Sequence, residues 1–417
     1  MANLKIRLDV ETLLPLLDLW TSLVFKAVCG PNNIDLMAYI EQSNHYLDSP
    51  DGADYTKLLS ECGPVAYPGA AVYFYSLVNL ISGRNVTWAF GQYMHIVLDV
   101  FRMWLLVKVY KRAFGPRFAR ERKGYVLALL LLQAKYKFAS VVFNFNDTVM
   151  QLIALIGIYF HLRSNFWLGA FFMGCAASVK MSALLHVPGI LLVVAFERGL
   201  LWAPLYLIAF FGVQLLFGLE FILKNAKGYF DMAYDFGRKF DQSESVNFHY
   251  ISQETQHSKW FEALLLSLHL GFLVIFLLFK WTGQGDSQKS VPWAARFFKD
   301  IRLFPMTFER RTVDPYYALL IILTSNFIGM VFSRGTHQQF YAWYSFSFPF
   351  LLDACSETFG PLAQLAILVT LELAWSVNFP HRASQGHALN FAHFLMLFGL
   401  LRQKIGPIYL EKRIKND

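Results

Sequence analysis

The sequence predicts an all-α polytopic membrane protein, and three observations support this class. Apolar residues make up 56% of the 417 residues, while only 16% are charged; soluble domains carry about 25% charged residues. The mean hydropathy is +0.39. Phe alone occurs 41 times. A soluble fold cannot cover that much apolar surface with so few charges, and disordered or collagenous chains have other compositions.

Apolar segments that are long enough to cross a membrane recur along the whole chain. A spanning helix needs roughly 20 mostly apolar residues, so we predict about twelve such helices, give or take about two. Their centres lie near Leu19, Val97, Leu129, Ile153, Phe171, Leu191, Ile208, Leu273, Ile322, Phe348, Leu368 and Leu395. We therefore interpret residues 1–417 as a single transmembrane domain.

The distribution of basic residues predicts the orientation of these helices. With the N-terminus in the cytosol, about 23 Lys and Arg residues face the cytosol and about 12 face the other side. The richest clusters lie at 108–123 and 280–311. Cytosolic loops carry the excess of positive charge, so both termini are predicted to be cytosolic. The net charge of +8 then reflects topology, and no nucleic-acid partner is expected.

Two non-cytosolic loops are long enough to form a site. The first, residues 31–86, is acidic, and the second spans residues 219–260. Each contains an amphipathic stretch, IDLMAYIEQ in the first and YFDMAYDFGRKF in the second. Such stretches are typical of short helices that lie on the membrane surface.

Charged residues beside membrane helices are costly, which makes them functional candidates. On the predicted non-cytosolic side they occur in FNFND, SVKMS, YDFGR and SRGTHQQFY, which contain Asp147, Lys180, Arg238, Arg334 and His337. Acidic groups come from the first loop and basic groups from later loops. This pattern favours a phosphate-bearing substrate that is attacked with the help of a carboxylate. The chain has no Walker loop, HExxH motif or evident Ser-His-Asp set.

Each candidate also has a purely structural interpretation. Asp147 is able to pair with Lys135 or Lys137, and Lys180 is able to reach the membrane interface with its long side chain. Arg334 and His337 suit a solvated loop. The residues alone do not choose between these alternatives.

Seven stretches follow one another in a recognisable order. They are NIDLMAYIEQ, DYTKLLSECGPVAYPGAAVYFY, VFNFND, SVKMSALLHVPGILL, QLLFGLEFILKNAKGYFDMAYDFGRKF, LTSNFIGMVFSRGTHQQFYAWYSFSFPFLL, and LELAWSVNFP with ALNFAHFLML. Together they resemble the dolichyl-phosphate-mannose-dependent α-1,3-mannosyltransferase family of asparagine-linked glycan assembly. The resemblance implies a GT-C type glycosyltransferase of the endoplasmic reticulum membrane with a lumenal active site. It further implies transfer of mannose, with inversion, from dolichyl-phosphate mannose to the five-mannose dolichyl-diphosphate-linked oligosaccharide.

The same resemblance implies roles for individual residues. Asp35 matches the Asp of the family's IDW-like motif, and Glu61 matches the Asp of its GDTGP motif. Asp35 is the first choice for the catalytic base of the acceptor hydroxyl and Glu61 is the second, and the one that is not the base is expected to orient the acceptor. Candidates for binding the donor phosphate and sugar are Lys180, Arg238, Arg334, His337, Asp147, Gln339 and Tyr341.

Two motifs depart from the family pattern. GDTGP is SECGP here, so the carboxylate of Glu61 lies about one methylene further out. The run after FGRKF is FDQSESVNFHY, which lacks that block's Lys, Trp and Arg residues. These changes leave a shifted acceptor or a reduced activity open.

The sequence contains no DxD motif of the kind that binds a divalent ion for nucleotide-sugar donors. We therefore predict a metal-independent reaction without a cofactor. Two alternative functions are a GT-C mannosyltransferase with another lipid-linked acceptor, and a transporter or scramblase. The second alternative rests on span count and intramembrane charges alone, and no internal repeat supports it.

Overall fold

The computed structural model describes residues 9–30, 32, 34–121, 123–238, 241–282, 301, 312–375 and 382–403, and these residues are mostly helical. The α-helices among them are α1 (Val10–Val28), α2 (Ile34–Asp48), α3 (Gly69–Ile81), α4 (Trp88–Phe114), α5 (Arg117–Arg120), α6 (Gly124–Ala128), α7 (Ala134–Lys137), α8 (Asn146–His161), α9 (Phe166–Val179), α10 (Val187–Arg198), α11 (Trp202–Ala233), α12 (Gln253–Gln256), α13 (Lys259–Phe276), α14 (Pro315–Val331), α15 (Phe348–Ala354), α16 (Pro361–Ala374) and α17 (Ala383–Arg402).

Shorter elements join these helices. Two π-helical segments, Phe138–Val142 and Leu277–Trp281, extend α7 and α13. The strands β1 (Leu59–Ser60) and β2 (Gly63–Pro64) form a small antiparallel hairpin. The 3-10 helices of the described chain are Tyr55–Lys57, Leu129–Leu132, Met181–His186, Gln242–Glu244, Gln338–Trp343 and Ser345–Ser347.

The helices confirm the prediction of a helical membrane protein at the level of class. In the described ranges, three helical segments are long and apolar enough to span a membrane: Met181–Arg198, Trp202–Ala233 and Lys259–Trp281. The pair Gly124–Leu132 and Ala134–Val142 passes the same test together but bends by 59°. All predicted span centres lie within helical segments. The number of helices that cross the membrane stays a prediction.

Local sequence explains where individual helices begin and end. Asp9 caps α1 because its carboxylate accepts the backbone N–H of Thr12 at 3.0 Å. Thr87 caps α4 in the same way, and α4 ends at Gly115, whose φ of +53° suits glycine. Such caps satisfy backbone groups that a helix leaves unpaired.

The helices form one bundle around α14, which is buried along nearly its whole length. Helix α1 runs antiparallel to α4, since Glu11 pairs with Lys108 and Lys111 at one end and Lys26 lies 4.5 Å from the Tyr93 ring centroid at the other. The first end carries the basic residues that were predicted to be cytosolic. The opposite end carries α2, the hairpin and α3.

The first part of the second predicted loop, residues 219–260, is helical. Helix α11 continues to Ala233, with one non-helical residue, Asn225, at φ −157° and ψ 83°. The side chain of Asn225 donates to Asp54 at 3.0 Å and accepts the N–H of Gly228 at 3.0 Å. Its amide therefore caps the second part of the helix and fastens it to the first loop.

Candidate active site

A cavity of about 1090 Å³ opens at the end of the bundle that carries α2. Its wall is formed by the start of α2, the segment after β2, the end of α9, the end of α11, and parts of α13 and α14. Among the predicted site residues, those that line the cavity are Asp35, Lys180, Arg238, Arg334, His337 and Gln339. These residues are far apart in sequence, and the fold brings them to a single space.

Asp35 occupies the first turn of α2 and is half-buried at the edge of the cavity. Loss of solvent around the carboxyl raises its pKa from 3.8 to about 6. The charges of Lys180 and Arg238 oppose this shift, whereas the charge of Asp147 adds to it. A carboxylate with this pKa is ionised at neutral pH and still accepts a proton readily, as a general base requires.

Lys180 follows α9 in an extended conformation and is buried. Its Nζ donates to Asp147 at 2.8 Å and to Asn146 Oδ1 at 3.2 Å. It also lies 5.0 Å from the Tyr67 ring centroid and 5.7 Å from that of Trp343. An ammonium has three N–H donors, so the two described hydrogen bonds leave capacity for a ligand anion.

Asp147 is fully buried behind Lys180, in the first turn of α8. Its carboxylate accepts from the indole N–H of Trp343 as well as from Lys180. The alternative pairing of Asp147 with Lys135 or Lys137 is therefore not the one that the fold adopts. Asp147 holds Lys180 in place and does not itself line the cavity.

Arg334 is held by groups of the protein on the other side of the cavity. Its guanidinium pairs with the carboxylate of Glu262 and donates to the backbone carbonyl of Arg238 at 2.6 Å. Arg334 thus fastens the segment that carries Arg238 to α13. Arg238 is exposed and lines the cavity, close enough to Asp35 to lower its pKa.

Besides Asp147, two predicted residues lie outside the cavity. Glu61 is exposed at the turn of the hairpin, where its backbone N–H donates to the carboxylate of Glu41 at 2.8 Å. Tyr341 is buried, and its hydroxyl donates to Glu372. The fold therefore separates both residues from the wall on which Asp35 and Lys180 lie.

Sequence reasoning missed three residues of this site. Tyr67 and Trp343 place aromatic rings beside Lys180, and Glu262 pairs with Arg334. Glu262 gave one usable signal, since it is an acidic residue near the start of a strongly apolar helix. The two aromatic residues gave none, because aromatic residues are frequent along the whole chain.

The cavity wall suits an anionic ligand with an apolar portion. Lys180, Arg238 and Arg334 supply positive charge, and Leu265 and Leu266 of α13 supply apolar surface. No group of three or more His, Cys, Asp or Glu residues within the described ranges has a metal-binding arrangement. The carboxyl groups on the wall are those of Asp35, Asp231, Asp235, Glu244 and Glu262. Asp35, whose pKa is raised, therefore shares one cavity with three cations of the kind that suit a phosphate.

Three known proteins that are similar to this chain have the same name. The human, Arabidopsis thaliana and Neurospora crassa relatives are each named Dol-P-Man:Man(5)GlcNAc(2)-PP-Dol alpha-1,3-mannosyltransferase. The human protein is 29% identical over 371 residues, 88% of this chain and 80% of the relative. The Arabidopsis protein is 30% identical over 389 residues, 92% of this chain and 86% of the relative. The Neurospora protein is 31% identical over 355 residues, with 82% and 76% covered.

A family model described as ALG3 protein matches residues 14–385. This range includes Asp35, Lys180 and Arg334, and it contains all the stretches on which the resemblance rests except ALNFAHFLML, which follows it. The matched range and the relatives agree with one another. The chain belongs to the ALG3 protein family.

Proposed function

We propose that this chain transfers mannose from Dol-P-Man to Man5GlcNAc2-PP-Dol in α-1,3 linkage, and that the reaction occurs in the cavity lined by Asp35 and Lys180. Family membership supports the reaction. The observation that carries the site is the half-buried carboxyl of Asp35, with its pKa of about 6, in the same cavity as Lys180 and Arg238.

Asp35 is the base in this proposal. The acceptor hydroxyl gives its proton to the Asp35 carboxylate as its oxygen attacks C1 of the mannose. The bond between C1 and the phosphate oxygen breaks on the opposite face, so a β-linked donor yields an α-linked product. Glu61 has no step in this scheme, because it lies outside the cavity.

Lys180 and Arg238 bind the phosphate that leaves. Negative charge grows on the phosphate oxygen as the bond to C1 breaks, and fixed cations stabilise that charge. Asp147, Asn146 and Trp343 keep Lys180 and its surroundings in one arrangement. His337 and Gln339, which also line the cavity, face the sugar.

The dolichyl chain of the donor lies along α13. Of that helix only Phe261, Leu265 and Phe276 are buried, while Leu264, Leu266, Leu268 and Leu270 are exposed. Leu265 and Leu266 also line the cavity. A continuous apolar face thus leads from the surrounding lipid to the phosphate-binding residues, and membrane lipids cover the rest of it.

The location follows from the same proposal. The protein has a GT-C type fold with about twelve membrane-spanning helices in the endoplasmic reticulum membrane. Both termini are cytosolic, which puts the cavity at the lumenal end because it lies opposite the basic residues Lys108 and Lys111. No metal takes part, since the donor carries a monophosphate and has no diphosphate for a cation to bridge. A chelator is expected to leave the rate unchanged.

The test is transfer by the purified full chain with Dol-P-Man and Man5GlcNAc2-PP-Dol, with the mass and linkage of the product measured. One added mannose in α-1,3 linkage is the expected result. Transfer to a different lipid-linked acceptor only would support the other mannosyltransferase assignment. Lipid movement across proteoliposomes without any transfer would support a transporter and overturn the proposal.

A further inference from the structure

Four charged side chains meet inside the bundle, away from the cavity. They are Asp18 of α1, Asp99 and Arg102 of α4, and Lys137 of α7, which are 1%, 1%, 3% and 6% exposed. Lys137 Nζ lies 2.8 Å from Asp18 and 2.9 Å from Asp99. Arg102 lies 3.4 Å from Asp99 and 3.8 Å from Asp18. Two negative and two positive charges balance one another.

Uncharged neighbours complete this network. The hydroxyl of Tyr136 donates to Asp99 at 2.9 Å, and that of Ser140 does so at 2.8 Å. Lys137 donates to Ser22 Oγ at 2.8 Å, and the Arg102 guanidinium carbon lies 3.8 Å from the Tyr136 ring centroid. The sequence offered Lys137 as a partner of Asp147, whereas its side chain lies inside the bundle with Asp18 and Asp99.

Stability alone does not explain such a network. Burying charges costs free energy that their mutual attraction often only offsets, and apolar side chains of similar volume are frequently as stable or more so. Buried ion networks do more in some proteins, where they select one register of packing. The position of Lys137 in the chain shows which segment such a network would hold in register.

Lys137 begins the segment that reaches the cavity. It is followed by the π-helical turn Phe138–Val142, then by Asn144 at φ +52°, then by Asn146 and Asp147. The side chain of Asn144 donates to the carbonyl of Ser140 at 2.7 Å. A π-helical turn and a positive φ are uncommon conformations that persist only where surrounding contacts enforce them.

The same segment also contacts the chain just before Asp35. The carbonyl of Val142 accepts from the N–H of Asn32 at 3.1 Å. Gln92 of α4 donates to the carbonyl of Val141 at 3.3 Å, and Leu36 packs on Gly91. Residues 137–147 therefore connect the buried charges to two parts of the cavity wall, the start of α2 with Asp35 and the segment of Lys180, which Asp147 holds from behind.

We infer that Asp18, Asp99, Arg102 and Lys137 form a positioning network, which fixes the register of residues 137–147 and thereby the placement of Asp147, Lys180 and Asp35 for mannosyl transfer. These four residues touch neither substrate nor cavity, so their effect passes through the segment. The inference rests on the proposed function for its kinetic consequence only, since the structural consequence is measurable by itself.

The test compares Lys137→Met, Asp99→Asn and the double variant in the full chain. Each single variant leaves one buried charge without its partner, and we expect Tm to fall by at least about 5 °C. The double variant is again neutral, and its Tm is expected to return towards the wild-type value. If the network only stabilised the fold, activity would return with it.

For a positioning network, the double variant keeps its defect. We expect kcat to be about 10- to 100-fold lower with KM for the donor within about 2-fold, because misplacement of groups that act in the transition state lowers kcat. Amide hydrogen exchange in residues 138–148 is expected to be at least about 5-fold faster than in the wild type. Lys135→Met, two residues before Lys137 on α7 and outside the network, is the matched control and should change neither.

Two results would overturn the inference. One is a double variant with wild-type kcat and KM, and the other is wild-type exchange in residues 138–148 after Tm has recovered. If the wild-type protein transfers no mannose, the proposed function fails. The exchange measurement then still decides whether the network fixes the segment.

Discussion

Two groups of charged side chains, the positioning network and the residues of the cavity, differ in how far protein partners compensate their charges. In the positioning network, Lys137 and Arg102 have both of their carboxylate partners within 3.8 Å inside the protein. In the cavity, Asp35 is half-buried and its pKa is raised to about 6, so its surroundings compensate its charge only in part. We interpret the first group, whose charges are paired within the protein, as fixing the position of the backbone. The second group, whose charges are compensated only in part, suits the binding of a charged substrate.

The cavity cations show an intermediate arrangement. Lys180 is held from behind by Asp147, and Arg334 is held by Glu262. Each carboxylate fixes a cation at the wall, so the cations need not be ordered when the donor phosphate binds. The cavity thus combines rigid cations with one carboxyl whose protonation changes near neutral pH.

The largest expected effect is that of Asp35→Asn. Without a base for the acceptor hydroxyl, kcat should fall by about 10³-fold. The measurement is mannosyl transfer by purified protein at pH 7.5 with both lipid substrates saturating. Tm at this pH is expected not to fall, because the raised pKa means that ionised Asp35 costs folding free energy at neutral pH.

Two outcomes for Asp35→Asn would contradict the contrast between the positioning network and the cavity. If Asp35→Asn kept more than about a tenth of the activity, the incompletely compensated carboxyl would not be the base. A Tm loss like that of Lys137→Met would place Asp35 with the charges of the positioning network instead.

The next effect is that of Lys180→Met, which removes a cation at the proposed leaving group. We expect kcat to fall by about 10²-fold, the usual cost of removing one fixed group that stabilises developing charge. The double variant Lys180→Met with Asp147→Asn separates catalysis from stability, since it leaves no buried charge without its partner. Tm should recover in the double variant while kcat does not. If Tm and kcat both recovered in the double variant, the role of Lys180 would be structural only.

The pH dependence should produce a smaller change. The base acts when ionised, so kcat/KM, which reports the free enzyme, falls as pH falls through about 6, by about tenfold between pH 7 and pH 5. Asp35→Asn should remove this limb from its residual rate. The sign is opposite for stability: a carboxyl whose folded pKa lies above 3.8 contributes stability below that value and loses it as pH rises through about 6. The Tm difference between Asp35→Asn and the wild type should therefore widen with pH.

Composition and ordered motifs were sufficient to predict a helical membrane protein and its family. They also predicted Asp35, Lys180, Arg238 and Arg334, because charges at the ends of apolar segments are rare enough to be noticed. Composition and motifs did not predict which charged residues pair with one another. Asp147 pairs with Lys180 and not with Lys137. This choice depends on the 59° bend between Gly124–Leu132 and Ala134–Val142 and on the π-helical turn Phe138–Val142, which together place the chain that leads to Asp147.

The sequence put Asp35 before Glu61 as the base but could not decide between them. Asp35 and Glu61 belong to the same loop and to equally recognisable motifs. The difference arises from the hairpin, whose turn at residues 61–62 directs the Glu61 backbone towards Glu41. Burial, which separates a base from a solvated carboxylate, depends on contacts between distant segments.

The smallest expected effect, that of Glu61→Gln, sharpens the comparison most. Glu61 is exposed and lies outside the cavity wall, and no ion pair among the described residues includes it. Water and salt screen such a group, and substitutions of this kind usually change free energies by at most about 0.5 kcal/mol, or about 2-fold in rate. We expect kcat and both KM values within about 2-fold of wild type, measured beside Asp35→Asn in the same preparation. A rise in the acceptor KM alone would assign Glu61 to acceptor binding at the cavity rim. A kcat loss equal to that of Asp35→Asn would mean that the hairpin closes over the cavity during the reaction, and would make exposure in the free protein a poor guide to the base.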